Sequence, residues 1–239
     1  GQAVGTVVPR SSGGLMLATQ HGFAHLDNET HQLRMIHDPE NDLPGNRFND
    51  GKCDPAGRFW AGTMSFQVTD KAGSLYCMDT NQKVRKVLED VTVSTGLAWS
   101  HDHKTMYYID SPTYVVKSYD YDIASGQITN ERVLLTIPSE MGAPDGMALD
   151  AKGRLWIAHY GGSKVCCWDP ETGHLVQTIE TPVSQVTACA FGGPELETLY
   201  ITSGTQGLNA EQLKKEPYAG ALLSVQPGCQ GAPTYRFLG

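Results

Sequence analysis

Between Asn46 and Asp50 the chain reads Asn-Arg-Phe-Asn-Asp, four polar side chains within five residues, just ahead of an apolar stretch, Arg58 to Met64, that reads as a buried strand. Polar groups at the mouth of a core element are costly unless they are bonded. These four therefore bind one another or hold a ligand. As a local network they would cap the turn before the strand, a habit of Asn and Asp side chains. As a binding cluster they offer amide and carboxylate oxygens beside a guanidinium whose planar fork suits hydroxyl and carboxylate partners. Polar residues in similar settings recur at Thr95, Asp145 and Thr187. Such oxygens, with no His or Cys among them, suit a hard cation such as Ca²⁺, Mg²⁺ or Mn²⁺.

Residues spaced so regularly would meet if the chain repeats a structural unit. Helical periodicity is scarce. Short strands bounded by Gly, Asp, Asn or Pro are frequent, among them "GLMLAT", "RFWAGTM", "SLYCMD", "MYYIDS", "KSYDYD", "RLWIAHY", "KVCCWD", "TLYITSG" and "ALLSVQ". A small or polar residue, an apolar segment, a turn and an aromatic-rich strand recur as "NDGKCDPAGRFWAGT", "STGLAWSHDHKTMYYID", "PDGMALDAKGRLWIAHY" and "VTACAFGGPELETLYIT". Their anchors, Asp50, Thr95, Asp145 and Thr187, are spaced by 45, 50 and 42 residues, and a fainter copy begins near Val7. A period of roughly 40–50 residues with about four strands per unit is that of a β-propeller blade. The expected fold is all-β, a single propeller domain over 1–239 with about five blades visible. Because the innermost strands of all blades begin at one end of the central channel, the anchors Asn49, Thr95, Asp145 and Thr187 are expected around one mouth.

Composition narrows the partners. A formal net charge of −8 disfavours nucleic acid and anionic membranes. No apolar run approaches the length of a membrane-spanning helix, and the opening residues carry no basic segment followed by an apolar one, so no secretory leader is expected. The six cysteines form no CxxC pair, and Cys166 and Cys167 are adjacent on a predicted strand. They read as buried, reduced thiols of a cytoplasmic protein, not as a zinc cluster or disulfide framework.

At "NRFNDGKCDPAGRFWAGTM", "STGLAWSHDHKTMYYIDS" and "APDGMALDAKGRLWIAHYGG", and on through "AFGGPELETLYITSG" and "GALLSV", the chain resembles the regucalcin (senescence marker)/gluconolactonase/luciferin-regenerating-enzyme family. The resemblance implies a six-bladed propeller with one divalent metal in its central cavity, Ca²⁺ foremost with Mg²⁺, Mn²⁺ or Zn²⁺ as alternatives. It also implies hydrolysis of sugar lactones or related small esters. It makes Asp145 a metal ligand and general base, Asn49 a residue at the metal site, and Arg47 a side chain holding the substrate. Three departures stand out. Thr95 occupies the place of a ligating Asn. Nothing matches the "GESP"-like motif that carries a ligating Glu, so the first blade of the family plan is expected to be absent. Gln67 stands near a position that is acidic in some members. The substrate is expected to be a small polyhydroxy lactone or ester, touched by Arg47, Asn49, Gln67 and His159. The alternative is a non-catalytic propeller binding calcium or a small ligand at a partly lost metal site. Oligomeric state is not legible here.

Other polar and aromatic residues are assigned humbler places. His101 and His103 read as an exposed turn. Trp60, Trp99, Trp156 and Trp168 recur at repeat positions and read as packing between blades. Tyr107, Tyr108, Tyr119 and Tyr121 are expected to split between core and rim, and Leu208 to Pro217 to form a short helical loop.

Overall fold

Each repeat folds into its own small sheet. A computed structural model describes all of residues 1–239. The first sheet comprises β1 (Val4–Pro9), β2 (Leu15–Thr19), β3 (Gly22–Leu26) and β4 (Leu33–His37), and the second β5 (Asn46–Cys53), β6 (Phe59–Ser65), β7 (Gly73–Met78) and β8 (Val84–Val91). The third holds β9 (Ser94–Trp99), β10 (Thr105–Asp110), β11 (Val115–Asp122) and β12 (Gln127–Thr136), and the fourth β13 (Ala143–Leu149), β14 (Leu155–Tyr160), β15 (Lys164–Trp168) and β16 (Leu175–Glu180). The fifth has three strands, β17 (Val186–Gly192), β18 (Thr198–Ser203) and β19 (Leu222–Val225). In every sheet the strands follow in chain order, as in the blades of an all-β propeller. All nine strands read from short sequence segments are present. A helix, α1 (Ala210–Lys215), interrupts the last sheet and is capped by Asn209, whose side chain accepts from the Glu211 and Gln212 amides.

One correction concerns the opening cluster. The strand that follows it is present as β6, but Asn46 to Asp50 lies itself within a strand, β5, the first of its sheet. The polar residues are thus part of the ladder itself.

The chain divides into two compact units, one of Gly1–Met106, Tyr119–Asn130 and Thr234–Gly239 and the other of Tyr107–Ser118 and Glu131–Pro233. In the first, Phe23, Phe48, Phe59, Tyr76 and Phe237 form a buried aromatic cluster, with Phe23 and Phe48 centroids 4.7 Å apart. In the second, Trp156, Val186, Phe191, Leu199 and Ile201 share a core. All four tryptophans are buried. So are Tyr107, Tyr108, Tyr119 and Tyr121, which overturns the expected division between core and rim.

The segments Asp54–Trp60 and Asp150–Trp156 share the pattern D-x-x-G-R-x-W, which has a physical cause. Asp54 Oδ1 accepts from the Ala56 and Arg58 amides, while Oδ2 accepts from Trp60 Nε1 at 2.9 Å. Asp150 repeats this with the Lys152 and Arg154 amides and Trp156 Nε1 at 3.1 Å. Each carboxylate is fully buried and closes the turn that brings its tryptophan into the core. The glycine is needed because Gly57 and Gly153 take φ of 78° and 80°.

Candidate functional site

The first strands of four sheets share an irregularity. On β5, Phe48 pairs with Thr63 and Gly51 with Ala61, so Asn49 and Asp50 together face the single residue Gly62. On β13, Pro144 pairs with His159 and Met147 with Ile157, so Asp145 and Gly146 share Ala158. Thr187 is the extra residue on β17 and Gly5 on β1. These are β-bulges, which break the alternation of a strand and re-aim its side chains. In β5 the buried and half-buried residues alternate to Asn49, then reverse phase at Asp50. The bulge answers how polar side chains fit on a buried strand: Arg47, Asn49 and Asp50 all stand off the face that carries Phe48 and Cys53.

Neighbouring first strands pack at these bulges within each unit. β1 lies against β5 and β5 against β9; β13 lies against β17. A Cβ on Gly51 would collide with the Trp60 carbonyl oxygen and with Ala61, and one on Gly62 with Ser94. The close approach that Gly62 permits allows Asn49 Nδ2 to donate to the Ser94 carbonyl at 2.9 Å, although the two lie 45 residues apart.

Arg47 is the least compensated charge of the first unit's cluster. Its Nη1 donates to the Phe48 carbonyl at 2.9 Å and to Asn49 Oδ1 at 2.8 Å, and its guanidinium lies 5.8 Å from the Phe66 ring centroid. No carboxylate pairs with it, and burial lowers its pKa from the ordinary value. Asp50 accepts from the Gly51 amide at 2.7 Å; desolvation raises its pKa, opposed by Lys52 and by that hydrogen bond. Thr95 is 1% exposed on β9. Gln67 is exposed in the turn after β6, its amide nitrogen donating to Ser65 Oγ at 3.1 Å. A residue without any sequence signal supports this cluster from behind: the buried Glu40 accepts from Asn46 Nδ2, Thr63 Oγ1 and Tyr76 OH, each at 2.9 Å. It lies in "DPENDLPG", which reads only as a loop.

In the second unit Asp145 is half-buried, and its charge adds to the desolvation that raises the Tyr160 pKa. The preceding Pro144 carbonyl accepts from Ser111 Oγ at 2.7 Å, which pins the bulge. His159 is fully buried, with its ring stacked on Trp168 and neither ring nitrogen hydrogen-bonded. Burial drives its pKa down to about 4, against the opposing pull of the Met141 and Gly142 backbone. Thr187 Oγ1 shares a 2.8 Å hydrogen bond with Thr202 Oγ1. Elsewhere, His101 lies in an exposed turn as expected, whereas His103 from the same turn bonds Tyr235 OH at 2.9 Å. All six cysteines are free thiols and five are buried.

No three His, Cys, Asp or Glu side chains are grouped to hold a metal, so any ion must rely on amide, hydroxyl, backbone or water oxygens besides single carboxylates. The donors at the bulges fit that requirement by type: in the first unit the Asn49 amide oxygen and the desolvated Asp50 carboxylate, and in the second the Asp145 carboxylate.

Comparison with known proteins agrees with this architecture. The model of the SMP-30/gluconolactonase/LRE-like region matches residues 1–205. Regucalcin of Xenopus laevis is 41% identical over 238 residues, covering 97% of this chain and 80% of that protein. A solved luciferin-regenerating enzyme superimposes with a TM-score of 0.92 at 32% identity, over 99% of this chain and 82% of the other. A calcium-binding protein, regucalcin, from Agrobacterium tumefaciens gives a TM-score of 0.90 at 29% identity, over 97% and 78% of the two chains.

Proposed function

Because the chain belongs to the SMP-30/gluconolactonase/LRE-like family, we propose that it is a divalent-metal-dependent hydrolase opening a sugar lactone or a related small ester. The observation that carries this reading is Arg47: a half-buried guanidinium without a carboxylate partner, steered by Asn49 from a bulge on the first strand of its blade. Desolvating a cation without a counter-charge is costly, and a ligand rich in oxygen atoms would offset that cost.

In this reading the Asn49 amide, the Asp145 carboxylate and, where its buried hydroxyl is reached, Thr95 hold one ion, with Ca²⁺ favoured by the all-oxygen donor set. When bound, a divalent ion polarises a carbonyl and stabilises the oxyanion that forms from it. Asp145 orients the attacking water and takes its proton, a role that rests on position because an ordinary Asp is a weak base near pH 7. Arg47 donates to the oxygens of the lactone, and Asn49 keeps the guanidinium from swinging away. Gln67 contributes an amide at the exposed edge. His159, buried and neutral, supports the strand opposite Asp145. The buried thiols, with Cys53 and Cys77 pushed well above the ordinary range mainly by desolvation, suit a reducing, cytoplasmic setting.

One observation favours a second reading, a calcium- or ligand-binding propeller without catalysis: Thr95, standing in the place of the family's ligating Asn, is almost completely buried. A lactonase assay with and without chelator separates the two. Lactone opening that is lost on chelation and restored by Ca²⁺ or Mn²⁺ is expected, and Asp145→Ala should lower kcat/KM by about 10²–10⁴-fold while weakening metal binding measured by calorimetry. Unchanged activity in Asp145→Ala would end the mechanism; calorimetric binding without turnover would select the second reading.

A further inference from the structure

The hydrolase reading brings a ligand to Arg47 but leaves open which form of it the site prefers. Both internal acceptors of the guanidinium, the Phe48 carbonyl at 2.9 Å and Asn49 Oδ1 at 2.8 Å, are met by Nη1. They belong to Arg47's own strand, so the group is oriented before any ligand arrives. Phe66 takes one of its faces, with the ring centroid 5.8 Å away, and a face contact leaves the edge accessible. The Nε–Nη2 edge carries two parallel N–H groups, and neither nitrogen donates within the protein. That edge is the fork that meets both oxygens of a carboxylate at once.

Charge points the same way. Asp50 has a neighbour to offset it, Lys52 on the same strand, whereas no charged side chain acts on Arg47. Glu40, behind the strand, is met by Asn46, Thr63 and Tyr76, all uncharged donors. Gln67, in the turn after β6, is neutral. A half-buried cation in that setting gains more from an anion than from a neutral oxygen. A lactone offers only neutral oxygens. Hydrolysis changes this: water adds to the acyl carbon, the acyl–oxygen bond breaks, the released alkoxide takes a proton, and the new acid gives one to solvent. The product carries two equivalent anionic oxygens at neutral pH.

We infer that Arg47 is a carboxylate subsite: the ring-opened hydroxy acid binds its Nε–Nη2 edge more tightly than the lactone does, and the product restrains the reaction until it is removed. The inference rests on the hydrolase reading for the origin of the acid, though not for the contact itself.

The probe is sodium D-gluconate, set against D-glucitol, the same carbon chain with a hydroxymethyl group in place of the carboxylate. Calorimetry is run near neutral pH with excess chelator, so that no divalent ion competes for the anion. Gluconate should bind about tenfold or more tightly than glucitol, and the gap should narrow as NaCl is raised. The gap should close in Arg47→Met, while Arg47→Lys, which keeps the charge but not the fork, should keep part of it. Equal affinity for the two, or a preference that survives in Arg47→Met, overturns the inference. Should Arg47→Met fail to fold, the wild-type protein decides: a gap well short of about tenfold, or one insensitive to salt, overturns it. In turnover of glucono-1,5-lactone, gluconate should inhibit competitively with Ki below KM. Ki above KM overturns the inference and leaves the hydrolase reading intact. If no lactone is opened, that reading fails, and the preference for gluconate over glucitol still upholds or overturns the subsite.

Discussion

Burial and hydrogen bonding set the behaviour of single residues here more than their nominal chemistry does. His159 has the pKa of an ordinary imidazole, about 6.5, only when the chain is unfolded; in the fold it falls to about 4, chiefly through desolvation. Between those values the unfolded chain binds a proton that the folded chain refuses, so stability declines as pH falls from about 6.5 to about 4 and is level above. The full effect is at most about 3 kcal/mol. Urea unfolding of wild type against His159→Leu across this range checks it: the difference between the two should change below pH 6.5 and stay constant above. The opposite case is Asp54, whose buried carboxylate is met by Trp60, Tyr121, Arg58 and two backbone amides. Arg47 is the intermediate case, hydrogen-bonded yet without a counter-charge.

At the scale of elements, the β-bulge is the device that converts a packed strand into a binding strand. Without an extra residue, Asn49 and Asp50 would point to opposite faces and one of them would enter the core. The glycines beside the bulges let neighbouring first strands approach. A Cβ on Gly146 would stand 2.6 Å from the Ala188 Cβ and 3.0 Å from the Thr187 carbonyl oxygen, contacts with backbone and a methyl group that cannot yield. Gly146→Ala is expected to cost about 1–3 kcal/mol, seen as a lower thermal midpoint, and to shift the strand that carries Asp145. A thermal midpoint equal to that of wild type would show that β13 and β17 accommodate the methyl group, and would weaken the link between bulge and close packing.

At the scale of the whole molecule, five sheets of one design follow one another along a chain that spans about four-fifths of the relatives it matches. The proposed ion would draw its ligands from residues remote in sequence, so the unfolded chain would have no comparable site and binding would favour the folded state. Free Ca²⁺ at 100 times its Kd should add about 2.7 kcal/mol, an increase of roughly 5 °C in the thermal midpoint for a chain of this size. The shift should vanish with excess chelator and shrink in Asp145→Ala. A net charge of −8 also favours cation binding in general, so a shift equal in wild type and Asp145→Ala would count against a specific site.

Much of this was written in contiguous residues. The repeat spacing, the strands bounded by turn residues and the Asp-to-Trp turns are local chemistry, and they mark out the blades without reference to distant partners. The pairing of Arg47 with Asn49 is likewise local, since two residues apart on a strand share a face. What only the tertiary structure decided depends on segments distant in sequence. That Asn46–Cys53 is itself a strand follows from its ladder with β6, and its bulge from the register of that ladder. Glu40 acquires its function from Thr63 and Tyr76, 23 and 36 residues away. The burial of Tyr107, Tyr108, Tyr119 and Tyr121 and the full burial of His159 are likewise properties of surroundings. A sequence specifies turns by the chain's own short-range hydrogen bonds, but burial and partnership arise only when distant strands pack and exclude water.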